Sequence, residues 1–186
     1  MSSKAREQSE RAHTLKLKNM PNLDFIFKTE KKKLLDKLSY YGIKELPYLL
    51  ISSGKKKIRG YTGNLSNEEI LNIEKAIGIQ IIGLYLFHDY SSNENEGGLR
   101  LSFDAISSSE LKNQITKNVL DLNDKQAEEF LKGRDILLTN EEIKALEQKH
   151  ETKGFKILRN QNEFIGTGKL VEGRIVNYMP KERRLR

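Results

Sequence analysis

The chain has 186 residues, of which 37% are hydrophobic and 32% charged, and it contains no cysteine. This length suits one large domain or two small ones, and the lack of cysteine excludes disulfides, thiolate metal sites and cysteine nucleophiles. No apolar run reaches the roughly 20 residues of a membrane span, and the polar N-terminus lacks a signal-peptide core. The sequence therefore predicts a cytoplasmic protein with no membrane partner.

The net charge of +7 is concentrated near the C-terminus. From Lys153 to Arg186, nine Lys/Arg stand against three Asp/Glu, a balance of +6, which leaves +1 for the first 152 residues. Such a cationic segment is typical of a polyanion-binding surface. Residues 1–20 are also basic and are interpreted as a flexible arm, either a frayed terminus or an RNA-contacting segment.

Residues 21–106 alternate helix and strand signals and predict an α/β domain. Apolar residues from Leu34 to Tyr41 share one helical face, and Gly42 ends that helix. A strand follows over 47–52. Ser66 and Glu69 form a capping box for a second helix. Two further strands, 79–87 and 99–103, are joined by a polar hairpin connection.

Residues 107–186 predict helices first and strands last. A capping box of Ser107 and Glu110 precedes Leu111, Ile115, Val119 and Leu122, whose spacing predicts one helix. Asp124 is predicted to cap a short helix that Gly133 ends, and 134–138 to form a strand. The remaining elements are a helix over 141–149, capped by Thr139, and three strands over 154–159, 163–170 and 173–178.

No motif for catalysis is present. His13, His88 and His150 are far apart in sequence and are interpreted as surface residues rather than metal ligands. Phosphate-loop, dinucleotide-binding and nucleophile-elbow patterns are all missing. The sequence therefore predicts no enzyme activity, no cofactor and no metal.

The first basic cluster consists of Lys55, Lys56, Lys57 and Arg59, between two glycines and beside Tyr61. Cations next to an aromatic ring suit phosphates and an unstacked base. The alternative is an edge strand that lysines protect from aggregation.

Two further candidates lie near the C-terminus. Lys181, Arg183, Arg184 and Arg186 form an arginine-rich tail that either recognises phosphate or is simply solvated. Gly133, flanked by Lys132 and Arg134, lies where a backbone can approach a ligand closely, although its spacing alone indicates only a helix C-cap.

The segments QAEEFLKGRDILL and FKILRNQNEFIGTGKLVEGRIVNYMPKERRL resemble a PUA domain, the RNA-binding module of pseudouridine synthases and archaeosine transglycosylases. They are most similar to PUA-like proteins associated with the Sun family of RNA cytosine methyltransferases. The segments PYLLISSGKKKIRGYTGNLS, GLYLF and LRLSFDA are similar to the pre-PUA domain of a eukaryotic ribosome-biogenesis factor. The resemblance spans residues 25–186. It implies an α+β fold, with a pre-PUA-like α/β domain over 21–106 and a PUA-like small β-barrel with a basic tail over 107–186.

The resemblance also implies where RNA binds, namely around the glycine after the first PUA helix and along the last strand. Together with the basic clusters, the candidate RNA-binding residues are Lys55, Lys56, Lys57, Arg59, Lys132, Gly133, Arg134, Lys169, Arg174, Asn177, Lys181, Arg183 and Arg184.

The chain departs from Sun-family enzymes, which use a cysteine nucleophile and a cofactor-binding Rossmann domain. We expect instead a non-enzymatic protein that binds structured rRNA or tRNA in ribosome assembly or RNA modification. The alternative is a protein-interaction module, or an accessory subunit of an RNA methyltransferase or ribosomal particle.

Overall fold

A computed structural model describes residues 23–54, 56–79, 81–90, 98–149 and 151–185. The predicted arm over 1–20, Lys55, His13, His150 and Arg186 lie outside these ranges. The described residues form an α+β fold with two five-stranded sheets, which confirms the predicted fold class.

The first sheet is antiparallel throughout, with strands in the order of the sequence. Its strands are β1 (Leu23–Phe25), β2 (Leu49–Ser53), β3 (Lys57–Tyr61), β4 (Leu84–Asp89) and β5 (Leu99–Leu101). The helices of this half are α1 (Lys28–Leu38), extended by a 3-10 turn over Ser39–Tyr41, then α2 (Asn67–Ile77), α3 (Phe103–Ser107) and α4 (Ser109–Lys112).

The second sheet has the strand order β6-β8-β9-β10-β7. Its strands are β6 (Val119–Asp121), β7 (Ile136–Leu137), β8 (Gly154–Asn160), β9 (Glu163–Val171) and β10 (Arg174–Asn177). Two helices, α5 (Asp124–Leu131) and α6 (Asn140–Gln148), precede the long strands, and a 3-10 turn over Lys181–Arg183 follows them. Among the described residues, no helix has the length and apolarity to cross a membrane.

The first helix forms as predicted, because its apolar face packs into a core. Leu34, Leu38 and Tyr41 are buried. The Tyr41 hydroxyl donates a hydrogen bond of 2.6 Å to the Leu99 carbonyl oxygen, which ties the helix to β5. Gly42 then takes a φ of +90°, a left-handed conformation that glycine adopts readily.

The edge-strand alternative for the basic cluster is wrong, because β3 is the central strand of its sheet, between β2 and β4. Both flanking strands use its backbone hydrogen bonds, so its lysines do not protect an open edge.

The long helix predicted after Ser107 is also wrong. Ser108 is the N-cap of α4, its hydroxyl accepting from the Leu111 amide, and the helix ends at Lys112. Val119–Asp121 instead pairs in parallel with β8. Leu111 is buried in one core and Leu122 in another. Their helix-like spacing therefore does not come from one face of a single helix.

Other boundaries shift by a few residues. The strand predicted over 79–87 begins only at Leu84. Ser102 caps α3 by accepting from the Ala105 amide, which ends the strand predicted over 99–103 at Leu101. Asn123, rather than Asp124, caps α5 through a capping box with Gln126. The last three predicted strands and the helix capped by Thr139 are confirmed.

Strand β8 of the second sheet contributes side chains to two hydrophobic cores. Phe155 and Ile157 of β8 are buried with residues of the first half, whereas Leu158 of the same strand is buried with the second. A hydrogen bond of 2.9 Å from the Thr167 hydroxyl to the Leu101 carbonyl oxygen joins β9 to β5. The domain boundaries at 20/21 and 106/107 stay a prediction.

Candidate nucleic-acid interface

Two residues of the first basic cluster, Lys57 and Arg59, lie on β3 of the first sheet. Helix α2 covers one end of this sheet, where Ile70 packs with Leu23 and Ile51. At the other end, the register places Lys57 opposite His88, and His88 opposite Arg100. Side chains that pair across neighbouring strands point to the same face, so three basic side chains lie side by side there.

The cations of β3 lie near an aromatic ring, as predicted, but the ring belongs to Tyr85. The Lys57 ammonium is 5.9 Å and the Arg59 guanidinium carbon 5.8 Å from its centroid, within the range of a cation–π contact. Tyr61 packs partly buried beside α2, and its hydroxyl accepts from the Leu65 amide. Lys56 precedes β3 in the turn.

The pKa of His88 is sensitive to the positive charges on this face of the sheet. Burial, followed by the positive charges of Arg100, Lys56 and Lys57, lowers the pKa of His88 below its ordinary value, and Asp89 opposes this only weakly. Three cations together act on the imidazole, which indicates a positive potential at this end of the sheet. His88 was predicted to be only a surface residue, and it lies half-buried in the middle of the basic row.

Lys57, Arg59 and Arg100 form no ion pair with a carboxylate within the described ranges. The Nε atoms of Arg59 and Arg100 are buried and have no hydrogen-bond partner there either. A buried donor without a partner costs about 1–3 kcal/mol. This face is thus left with uncompensated positive charge, which favours an anionic ligand.

A chain of aromatic contacts leads from this face to the second sheet. Tyr90 and Phe155 have ring centroids 5.3 Å apart, and Phe155 meets Tyr178 edge to face at 5.5 Å. The Arg100 guanidinium carbon lies 4.9 Å from the Tyr178 ring centroid, and the Lys169 ammonium lies 5.8 Å from that of Phe155. Two cations therefore lie beside a run of three contacting rings across the junction of the two sheets.

A cavity of about 270 Å³ opens at this junction. The first half contributes β3 to β5 and the start of α3, and the second half contributes β9 and the segment after β10. Its lining residues are Lys57, Tyr85, Arg100, Leu101, Ser102, Phe103, Asp104, Gly166, Thr167, Tyr178, Met179, Pro180, Glu182 and Arg183.

The predicted RNA-binding surface at Gly133 is covered by a side chain of the protein itself. Gly133 ends α5 with a φ of +84°, and the Arg184 side chain lies over it, so closely that a Cβ atom there would be 2.4 Å from Arg184 Cδ. The Arg184 Nε donates to the Met179 carbonyl oxygen at 3.2 Å. The group that closely approaches Gly133 is thus an arginine of the same chain.

Asn177 holds this surface together. Its side-chain amide donates to the carbonyl oxygens of Phe130 (2.7 Å) and Arg134 (2.9 Å). Its side-chain oxygen accepts from the Met179 amide at 2.7 Å. The side chain therefore clamps the loop after α5 to the end of β10.

Most of the remaining candidate cations in the second half already have a carboxylate partner. The pairs are Lys132 with Glu128 (2.5 Å), Arg134 with Glu129 (2.6 Å), Arg174 with Asp135 (3.6 Å) and Arg183 with Asp104 (2.5 Å). Exposed pairs of this kind contribute at most about 1 kcal/mol, so a phosphate group can compete for these cations. Lys181 is exposed and forms no ion pair among the described residues.

Sequence reasoning missed Tyr85, Arg100 and the role of His88. The first two lie on strands that the sequence did predict, at positions where apolar and polar residues alternate. Which of these side chains become neighbours depends on the strand register, which the sequence alone does not reveal.

No group of three or more His, Asp or Glu side chains within the described ranges is arranged to hold a metal ion.

Residues 117–185 match the family described as the methyltransferase RsmF PUA domain. A search of curated proteins finds no significant match to the chain. The family match lies within the half that contains β6 to β10, and it supports an RNA-binding role. Residues 117–185 form a PUA-like domain of the type associated with the Sun family of methyltransferases.

Proposed function

We propose that this protein binds structured rRNA or tRNA and acts in ribosome assembly or RNA modification without catalysing a reaction itself. The observation that carries the proposal is the row Lys57, His88 and Arg100, whose cations have no carboxylate partner among the described residues and lie beside aromatic rings. The PUA-like domain supplies the neighbouring half of the same surface. A cytoplasmic location stays a prediction.

Affinity would come chiefly from phosphate contacts. Four cations have no carboxylate partner among the described residues, namely Lys57, Arg59, Arg100 and Lys181, whereas the paired cations around Gly133 must exchange carboxylates for phosphates. Structured RNA is recognised mainly through its shape, backbone and 2′-hydroxyl groups, with bases read at loops and ends. A surface that combines cations with rings suits both tasks.

Titration of tRNA and rRNA fragments at several salt concentrations tests the proposal. The affinity should fall linearly on logarithmic axes as salt rises, because bound lysines and arginines release counterions from the phosphates. An affinity that is insensitive to salt would contradict it. Replacing Arg183 and Arg184 together by alanine should weaken binding, and unchanged binding would show that these two arginines do not contact the RNA.

A role as a protein-docking subunit is the second candidate, and exposed apolar side chains favour it. Ile77 at the end of α2 and Ile81 before β4 are 78% and 70% exposed. Purification of the tagged protein after nuclease treatment separates the two functions. A methyltransferase or ribosomal protein that stays bound without RNA would favour docking, and an Ile77→Ser, Ile81→Ser variant should then release it.

A further inference from the structure

We propose that the cavity between the two sheets receives one unstacked nucleotide of the bound RNA. This inference rests on the proposed RNA binding and specifies what the junction of the two halves recognises: a base that has left its helix, rather than the RNA backbone alone.

The size of the cavity suits this ligand. Its volume of about 270 Å³ is close to the lower end of small-ligand pockets, about 300 Å³. That is too little for a stretch of duplex, whereas a single nucleotide is among the smallest ligands of that class. A base that is paired and stacked in a helix cannot enter, so the cavity would select loops, bulges and strand ends.

The walls of the cavity offer surfaces on which a base can stack. Tyr85 enters from the first sheet, Phe103 from α3, and Tyr178 from the segment after β10. Any base can stack on an aromatic side chain, whatever its identity, because every base has a π-face.

Arg100 is positioned to bind the phosphate of that nucleotide. Its guanidinium carbon lies 5.9 Å from the ring centroid of Tyr90 and 4.9 Å from that of Tyr178. Burial raises the pKa of Tyr85, and the positive charge of Arg100 opposes that rise, as expected for a guanidinium close to this ring. These rings hold the guanidinium in place before RNA arrives, and no carboxylate of the described ranges neutralises it. Such preorganisation reduces the cost of binding.

The cavity also contains carboxylates, which favour a base over a second phosphate. Asp104 is paired with Arg183, whose guanidinium carbon lies 4.6 Å from the Phe103 ring centroid. Glu182 lies at the same end of the cavity. Carboxylate oxygens accept hydrogen bonds from the exocyclic amino groups of bases and repel phosphates. The cavity thus has a cationic end at Arg100 and Lys57 and a mixed end at Arg183.

Two RNAs of equal phosphate count test the inference by fluorescence anisotropy: a hairpin with a single-stranded loop and a blunt duplex. Arg100→Gln and Tyr178→Leu should each weaken hairpin binding about tenfold, equivalent to about 1.4 kcal/mol. Duplex binding should fall less than hairpin binding in both variants, and by less than about twofold in Tyr178→Leu, because a paired base never enters the cavity. Lys144→Gln on α6, which removes one exposed charge outside the cavity, should leave both affinities unchanged.

Urea unfolding of each variant identifies losses that come from misfolding, and photocrosslinking locates the base independently. A hairpin with 4-thiouridine in its loop should crosslink to residues 98–104 or 178–183 of the wild-type protein. Crosslinks elsewhere would overturn the inference, as would an equal loss of hairpin and duplex binding in folded variants.

Two outcomes separate this inference from the proposed function. If the wild-type protein binds neither RNA, the proposed function fails. If it binds both and the cavity variants behave like wild type, only the nucleotide site fails. Competition with AMP, CMP, GMP and UMP identifies the source of the ligand, since a free nucleotide that binds as tightly as the hairpin would overturn the assignment to RNA.

Discussion

The guanidinium carbon of Arg100 lies 4.9 Å from the ring centroid of Tyr178, and this contact joins the first sheet to the PUA-like domain in the lining of the cavity. Arg100 is on β5 and Tyr178 follows β10, so neither half of the chain forms the arrangement alone. Any ligand that contacts both residues therefore contacts both halves of the chain.

Lys57 should contribute one phosphate contact. In Lys57→Gln, the slope of log affinity against log salt should become shallower by about one, because one fewer counterion is released. The measurement is a salt titration with a tRNA or rRNA fragment. Lys144→Gln removes the same charge from an exposed site and should keep the wild-type slope. Equal slopes for all three proteins would contradict a phosphate contact at Lys57.

His88 should make RNA binding depend on pH. In the free protein its pKa is lowered by burial and by Arg100, Lys56 and Lys57, while Asp89 opposes them. Phosphate bound among these cations would offset them and raise the pKa of His88 in the complex. The complex then takes up a proton, so affinity should rise as pH falls from about 7.5 to about 5.5.

In His88→Gln, that rise in affinity should be reduced, and an unchanged pH profile would contradict the assignment.

The stability of the free protein should decrease, rather than increase, as the pH falls. Because the folded state lowers the pKa of His88 from 6.5, the unfolded chain binds more protons between the folded pKa and 6.5. The free energy of unfolding should therefore decrease as pH falls through that window, and less so in His88→Gln.

Gly133→Ala should destabilise the protein for two separable reasons. The left-handed backbone, with φ of +84°, costs about 1 kcal/mol for alanine. The new Cβ would also displace the Arg184 side chain. Gly54→Ala, with φ of +66° and open space around it, should show the first cost only.

Urea unfolding of these variants measures both costs. In an Arg184→Ala background, the loss from Gly133→Ala should shrink toward that of Gly54→Ala, as expected for two residues in contact. Additive effects would show that Arg184 does not lie over the glycine in solution.

Lys156 should stabilise the fold through its contacts rather than through its charge alone. Its side chain is 1% exposed, and Nζ donates to Asn118 Oδ1 at 2.6 Å and to Glu151 Oε2 at 3.1 Å. Burial lowers its pKa, which Glu151 partly offsets.

Lys156→Ala should lower the free energy of unfolding by about 2 kcal/mol or more, because it leaves a cavity and unpaired partners. Lys156→Met should lose less stability than Lys156→Ala, since an apolar chain of similar length fills the space and only the unpaired partners remain. Lys144→Ala, at an exposed site, should change stability by no more than about 0.5 kcal/mol. Equal losses for the Ala and Met variants, measured by urea unfolding, would point to the charge itself.

Local sequence signals predicted the elements well where one segment determines one structure. The capping boxes at Ser66 and Thr139 start helices as predicted, and the turn-bounded runs after Gly154 form three strands. The helix predicted over Leu111 to Leu122 failed because its apolar residues belong to two different cores. The spacing of apolar residues indicates which side chains are buried, but it does not indicate which part of the protein they pack against.

The candidate site was predictable only in part, for a related reason. Lys57 and Arg59 stood out as a basic cluster, but their aromatic neighbour Tyr85 is more than twenty residues away in sequence. The residues next to Arg100 in sequence do not mark it as a site residue. It becomes one through its pairing with His88 across the strands and its contact with Tyr178. Long-range pairing creates this surface, and pairing is the information that residue types and spacing lack.

Strand β8 has a consequence for the modularity of the PUA-like domain. Its residues 155–158 are all buried, with Phe155 and Ile157 packed in one core and Leu158 in the other. Excising residues 117–185 would expose Phe155 and Ile157 to water and remove Arg100 from beside the Tyr178 ring. In this protein the PUA-like domain is thus not an independent folding unit. The family match begins at residue 117, but one hydrophobic core contains residues from both sides of that boundary.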